Sequence, residues 1–287
     1  MKRIIVLLMG FMLLAGCGAA SLKGTAETTT GIAATDEWAA LMEWFDRTHP
    51  ASIAAATDSL GGERFPLYAS VPEDEIYLYG IVGENFRRDV VLFQEDCETY
   101  FSGWGGDAWR GYTEMIYHDF DGDGKKEIGV VAYQGSGTGV YLSDLHIVSV
   151  EKIETGGWDA NKNCPTYKYK HIDHALTHED VTAFFSQGLE SKRGKQENTV
   201  EFSFGKKTWT ANLEPDVTWD ENEEVHVGTH IRFWFEGNEI KLSAIPYVNY
   251  IEYLMPGWLC GDFTADVTFD GREFHITNID FEPDQER

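Results

Sequence analysis

The nonapeptide Asp119-Phe120-Asp121-Gly122-Asp123-Gly124-Lys125-Lys126-Glu127 constrains this chain more than any other stretch. Acids stand at its first, third, fifth and ninth positions, and Gly124 at the sixth permits a sharp turn. Carboxylates at this spacing wrap hard oxygens around one cation, and calcium takes about six to eight of them at ~2.3–2.6 Å. The expected ligands are the carboxylates of Asp119, Asp121, Asp123 and Glu127, with the main-chain carbonyl of Lys125 between the last two. The alternatives are magnesium, or an acidic turn without an ion, in which four clustered carboxylates would repel one another with nothing gained. An EF-hand would need a bidentate Glu at its twelfth position, where Val130 stands. The flanks, Met115–Phe120 and Ile128–Tyr133, are rich in β-branched and aromatic residues. The loop therefore joins two strands, and the chain around it must build antiparallel sheet.

This pattern resembles the DxDxDGxxD/E loop of FG-GAP and VCBS-type extracellular modules, with Glu127 where Asp is commoner. After the loop come Ile128-Gly129-Val130-Val131-Ala132-Tyr133, Gly135-Ser136-Gly137-Thr138-Gly139 and Leu145-His146-Ile147-Val148. That order is similar to a group of bacterial lipoproteins that carry one such calcium hairpin and have no assigned activity. The likeness covers residues 110–150 well, and the C-terminal part only through Asp266-Val267, Asp270-Gly271 and Phe274. It implies calcium as the cofactor and an extracellular setting, and it carries no reaction.

The N-terminus agrees. Lys2 and Arg3 precede a run from Ile4 to Leu14 that is apolar apart from Gly10. The run is about half of the ~20 residues a spanning helix needs, and has the dimensions of a signal-peptide core. It ends in Leu14-Ala15-Gly16-Cys17, which resembles the lipobox of bacterial lipoproteins. The resemblance implies cleavage after Gly16 and a diacylglyceryl thioether on Cys17; an ordinary secretory signal with a chance cysteine is the alternative. Residues 1–16 are then signal, and 17–35 are the lipidated cysteine and a tether of mostly Gly, Ala, Ser and Thr, reaching roughly 20–25 Å. The expected place is the extracytoplasmic face of a membrane, held by lipid on Cys17.

Periodicity divides the remainder. Trp38, Leu41, Met42 and Phe45 recur at helical spacing over 36–48, and 51–60 extends as a second short helix. Ile76–Val82, Val90–Phe93, Met115–Phe120, Ile128–Tyr133 and Tyr141–Val150 read as strands. Thr177 caps a helix over 178–187, with Asp180 in its first turn and Gly188 past its end. Three hairpins follow: Val200–Phe204 with Thr208–Leu213, Ile231–Phe235 with Ile240–Ile245 through Gly237-Asn238, and Ala265–Phe269 with Phe274–Ile279 through Asp270-Gly271. The expected fold is α+β, mainly antiparallel β. It has two β-rich lobes: 36–155, with the N-terminal helix and the calcium loop, and 195–287; a linking loop and helix occupy 156–194.

Acids outnumber bases 48 to 23, for a formal charge of −25, which repels nucleic acid and favours cations. Cys97, Cys164 and Cys260 allow at most one disulfide, whose pairing the sequence does not select. Trp104, Trp109 and Tyr112 lie in a Gly-rich stretch and could form a flat aromatic platform for sugars, though large aromatics are more often buried. His171, His174 and His178 have metal-like spacing only if one helix holds all three, and the Thr177 cap splits them. Gly135–Gly139 reads as a hairpin turn, because a strand follows rather than a helix. No nucleophile elbow is present, and acids are too many for a catalytic pair to be chosen. The expected role is non-catalytic binding of an extracellular ligand, glycan or protein; an exported hydrolase acting on cell-wall or extracellular polymer is the alternative.

Overall fold

The computed structural model describes residues 21–22, 67–81, 89–94, 97–104, 112–137, 140–159, 164–196, 198–213, 225–250, 255–258 and 261–283. The expected signal, Cys17, the helices over 36–48 and 51–60, and Trp109 lie outside these residues. The described part is α+β, mainly antiparallel β, as the periodicity predicted.

The strands are β1 (Ser21–Leu22), β2 (Leu67–Val71), β3 (Ile76–Ile81), β4 (Asp89–Gln94), β5 (Cys97–Phe101), β6 (Glu114–His118), β7 (Glu127–Gly137), β8 (Val140–Asp159) and β9 (Cys164–Leu176). Helix α1 (His178–Gly188) follows. Then come β10 (Leu189–Arg193), β11 (Thr199–Phe204), β12 (Lys207–Asn212), β13 (Val225–Glu236), β14 (Glu239–Tyr250), β15 (Met255–Trp258), β16 (Gly261–Phe269) and β17 (Phe274–Pro283). All three expected C-terminal hairpins form, β11–β12, β13–β14 and β16–β17, with Gly205, Gly237 and Gly271 at positive φ in their turns. Within the expected tether, Ser21 and Leu22 pair antiparallel with His275 and Phe274.

One sheet runs in the order β1-β17-β16-β14-β13-β8-β7-β6, with β9 on β8 and β15 on β14. Its β8–β13 step is parallel, through His230 opposite Tyr141 and Ile231 opposite Leu142. The β11–β12 hairpin belongs to a separate three-stranded sheet with β10, whereas the strands flanking the acidic loop share this larger sheet with the β13–β14 and β16–β17 hairpins. On one face, Val131, Leu145 and Ile147 join Phe184 and Phe185 of α1, Phe202 of β11, and Phe233, Phe263 and Phe274 in a core. On the other, Ile128, Val130 and Val148 pack with Ile76, Leu78, Val90, Leu92, Phe101 and Trp104, which come mostly from the small β2-β3-β4-β5 sheet. Alternation along β7 and β8 feeds both cores, because successive side chains point to opposite faces.

Strands occupy most of the expected linking loop, and the expected helix follows them. β8 continues to Asp159, and Cys164–Leu176 returns along it as β9, with Glu151 opposite Lys170 and Val148 opposite Asp173. The alternation of Tyr167-Lys168-Tyr169-Lys170 is strand-like, but Tyr167, Lys168 and Lys170 are all exposed, so no buried stripe announces it. The helix starts where predicted. Thr177 Oγ1 accepts from Asp180 N at 3.2 Å, and Asp180 Oδ2 accepts from Thr177 N at 3.0 Å, a reciprocal cap. Gly188 is its last residue rather than the one beyond.

Candidate metal centre and outer sheet face

The Asp119–Glu127 loop joins β6 to β7, with His118 opposite Glu127 at its base. Two glycines at positive φ, Gly122 at +76° and Gly124 at +89°, bend it back on itself. Asp119 Oδ1 accepts from Gly122 N at 2.8 Å and Oδ2 from Gly124 N at 3.0 Å, while Asp121 Oδ1 accepts from Asp123 N at 2.9 Å. Phe120 anchors the loop. Its ring lies over Gly129, where a β-carbon would stand 2.6 Å from it, and meets Phe235 of β13 at 6.1 Å between centroids.

Of the four expected carboxylates, the loop brings three together. One carboxylate oxygen each from Asp119, Asp121 and Glu127 lies within 4.8 Å of the others. Asp123 is engaged elsewhere: its Oδ1 accepts from Lys125 N at 2.7 Å, and its Oδ2 lies 3.2 Å from Lys125 Nζ. Glu127 is only 4% exposed, and its Oε2 accepts from Phe120 N at 2.8 Å. Burial, followed by the negative charges of Asp121, Asp123 and Asp119, raises its pKa, against the pull of the Phe120 hydrogen bond. Three clustered acids, one of them buried, are a donor set suited to a hard divalent cation. Water and main-chain carbonyls would complete its coordination.

The aromatic expectation divides. Trp104 is 3% exposed, stacked between Phe101 at 4.3 Å and His146 at 4.1 Å, with Nε1 donating to Asp173 at 2.9 Å. It belongs to the core and cannot display a platform, because the Asp173 carboxylate gives its indole N–H a buried partner. Tyr112 is 49% exposed and stacks on Tyr133 at 5.2 Å. Tyr133 meets Tyr141 at 5.5 Å, and Tyr141 meets His230 at 5.6 Å. These rings continue into a groove of about 580 Å³ on the outer face of β13, β14, β16 and β17, lined by Arg232, Trp234, Ser243, Asp262 and Asp266 among others. Sequence reading missed this face. Its signal was the alternation of His230, Arg232 and Trp234 with the core residues Ile231, Phe233 and Phe235.

His171, His174 and His178 do not converge, and the Thr177 cap separates His178 on the helix from the other two on β9. His171 Nδ1 lies 2.7 Å from Thr99 Oγ1 and Nε2 lies 3.0 Å from Gln94 Oε1; His174 rests on Phe269, and His178 meets Asp144 at 2.6 Å. His146 pairs with Asp173 at 3.1 Å, but Trp104 covers the pair and both cores exclude solvent from it. Cys97 is a free thiol whose Sγ donates to Tyr169 O. No helix among the described residues is long and apolar enough to cross a membrane. No protein-family model, no curated protein and no solved structure matches this chain.

Proposed function

We propose that this chain is a lipid-anchored extracytoplasmic binding protein whose Asp119–Glu127 loop holds a structural calcium ion. The convergence of Asp119, Asp121 and Glu127 oxygens within 4.8 Å carries the metal reading. The loop sits where an ion would matter for shape: Phe120 reaches Phe235 of β13, and Asp121 meets the β16–β17 turn. Calcium bound there would offset the mutual repulsion of the three acids and the burial cost of Glu127. The anchor rests on Leu14-Ala15-Gly16-Cys17, and the binding role on an outer sheet face that combines aromatic rings with polar groups.

Calcium titration of the full chain, followed by thermal melting, tests the metal. Extracellular modules bind calcium at roughly 10⁻⁴–10⁻³ M. At ~10⁻⁴ M affinity and about 2 mM calcium, linkage gives ~1.8 kcal/mol. That corresponds to about 4–7 °C for a domain of this size. Asp121→Ala should remove most of the shift. No shift up to ~10⁻² M calcium, beyond the weakest affinity expected, overturns the site.

A further inference from the structure

We propose that the outer face of β13, with the tyrosine ladder beside it, is a binding site for a neutral linear oligosaccharide. The inference rests on the binding role proposed above and places it on particular residues. Three observations carry it.

First, the rings follow the strand order of the sheet. Tyr112 precedes β6, Tyr133 lies on β7, Tyr141 on β8 and His230 on β13, with successive centroids 5.2, 5.5 and 5.6 Å apart. Each step is close to the ~4.8 Å between paired strands, so the ladder crosses the strands and does not run along one. Tyr133 is buried in the middle of the row, so what a chain of pyranose rings meets is the half-exposed Tyr112 ring at one end and the partly exposed Tyr141 and His230 rings at the other, against which sugar C–H groups pack.

Second, the ladder leads into hydrogen-bonding groups that nothing else uses. Among the described residues, Arg232 has no carboxylate partner, only the Trp234 ring at 5.9 Å, and neither His230 nor Trp234 has a hydrogen-bond partner. All three are donors on alternate positions of one strand. Across the groove stand acceptors held in place by their neighbours: Asp262 Oδ2 accepts from Ser243 Oγ at 3.2 Å, and Asp266 accepts from Lys241 Nζ at 2.8 Å. Unengaged donors facing anchored acceptors match the paired hydroxyls of a sugar, which give and receive together.

Third, charge and composition remove other occupants. A formal charge of −25 disfavours nucleic acid and polyanionic glycans. The groove floor is polar, unlike the apolar centre of a stable protein interface. Its lining of Arg232, Ser243, Asp262 and Asp266 is polar and charged, which suits a hydroxyl-rich ligand more than a small apolar one.

The test measures binding of cellohexaose and chitohexaose to the full chain by calorimetry, with an oligogalacturonate of matched length as the anionic comparison. At least one neutral hexamer should bind, and the galacturonate more weakly. Trp234→Ala and Tyr141→Phe/Ala exchanges separate ring from hydroxyl: Tyr141→Phe should bind nearly as the parent, while Tyr141→Ala and Trp234→Ala lose about tenfold or more, as central aromatic contacts do. Tyr167→Ala, an exposed tyrosine on β9, should change nothing. Near-ultraviolet circular dichroism confirms that each variant is folded. Hexamer binding that survives both alanine substitutions overturns this groove while leaving the binding role standing. Failure of both neutral hexamers to bind overturns the oligosaccharide assignment, and shortening of a hexamer during incubation overturns the binding role in favour of hydrolysis.

Discussion

Asp121 and Gly271 touch across the whole length of the C-terminal half: a β-carbon at residue 271 would stand 2.6 Å from Asp121 Oδ2. Gly271 also holds φ at +87°, a conformation that costs other residues about 1–2 kcal/mol. Gly271→Ala should therefore carry two penalties, backbone strain and displacement of a carboxylate of the proposed metal site. Gly237 provides the comparison, since it sits in the β13–β14 turn at +63° with nothing within 4 Å of its would-be β-carbon. Gly237→Ala should lower the melting temperature through strain alone and keep the calcium shift. Gly271→Ala should lower it further and shrink the shift. Equal calcium shifts in the two variants would show that the turn does not bear on the loop.

Glu127 gives the proposed metal site a pH signature. Its folded pKa lies above the ordinary glutamate value, so in the chelated protein the protonated form is the one folding favours. Its contribution is fully present below the unfolded value and is lost as pH rises through the folded one. With chelator, Glu127→Gln should thus match the parent in acid and exceed it at neutral pH, because the glutamine oxygen can still accept from Phe120 N. With calcium, the order should reverse at neutral pH, since the variant has lost a charged ligand. Urea midpoints at both pH values, with and without calcium, check all four cases.

The hairpins and the convergence of acids in the Asp119–Glu127 loop were legible because their determinants are local. Gly237-Asn238 and Asp270-Gly271 interrupt clean alternation, and Asp119, Asp121 and Glu127 meet within one turn of chain. What escaped the sequence depends on strands far apart. Nothing in Tyr141 or His230 alone announces the parallel β8–β13 step that stacks them. Trp104 was legible only as a choice between a displayed platform and a core position, because the partners that decide it, Asp173 on β9 and His146 on β8, lie far along the chain. β9 itself stayed hidden because Tyr167, Lys168 and Lys170 are all exposed, leaving alternation without a buried stripe.

The anchor has its own test. Cys17→Ser removes the sulfur that the proposed thioether needs. The variant should be released from membranes or retain residues 1–16 uncleaved. Fractionation together with fatty-acid labelling distinguishes these outcomes from the parent, which should label and sediment with membranes. Unchanged labelling of the serine variant would exclude lipid at this position.

His171 should dominate acid sensitivity on the β5–β9 side of the protein. Its ring is buried, bridging Thr99 Oγ1 and Gln94 Oε1, and burial lowers its pKa to about 4. Unfolded histidine takes up its proton near pH 6.5. Between those values the unfolded chain binds a proton that the folded chain refuses, so stability is whole above about pH 6.5 and falls as pH drops towards 4. The full effect is on the order of 3 kcal/mol, by the free energy of each pKa unit. His174 and His230, also lowered by burial, add the same sign, so the informative quantity is a difference between variants. His171→Gln removes the titrating group and keeps a side chain able to donate and accept between Thr99 and Gln94. It should cost stability at pH 7.5, where the imidazole packs and bonds best, and should flatten the decline between pH 6.5 and 4.5. Urea unfolding of parent and variant at those three pH values measures it, with chelator present throughout to keep the calcium loop out of the comparison. Parallel declines in the two proteins would mean that the folded state admits a proton at His171, and that the Thr99–His171–Gln94 bridge opens well above pH 4.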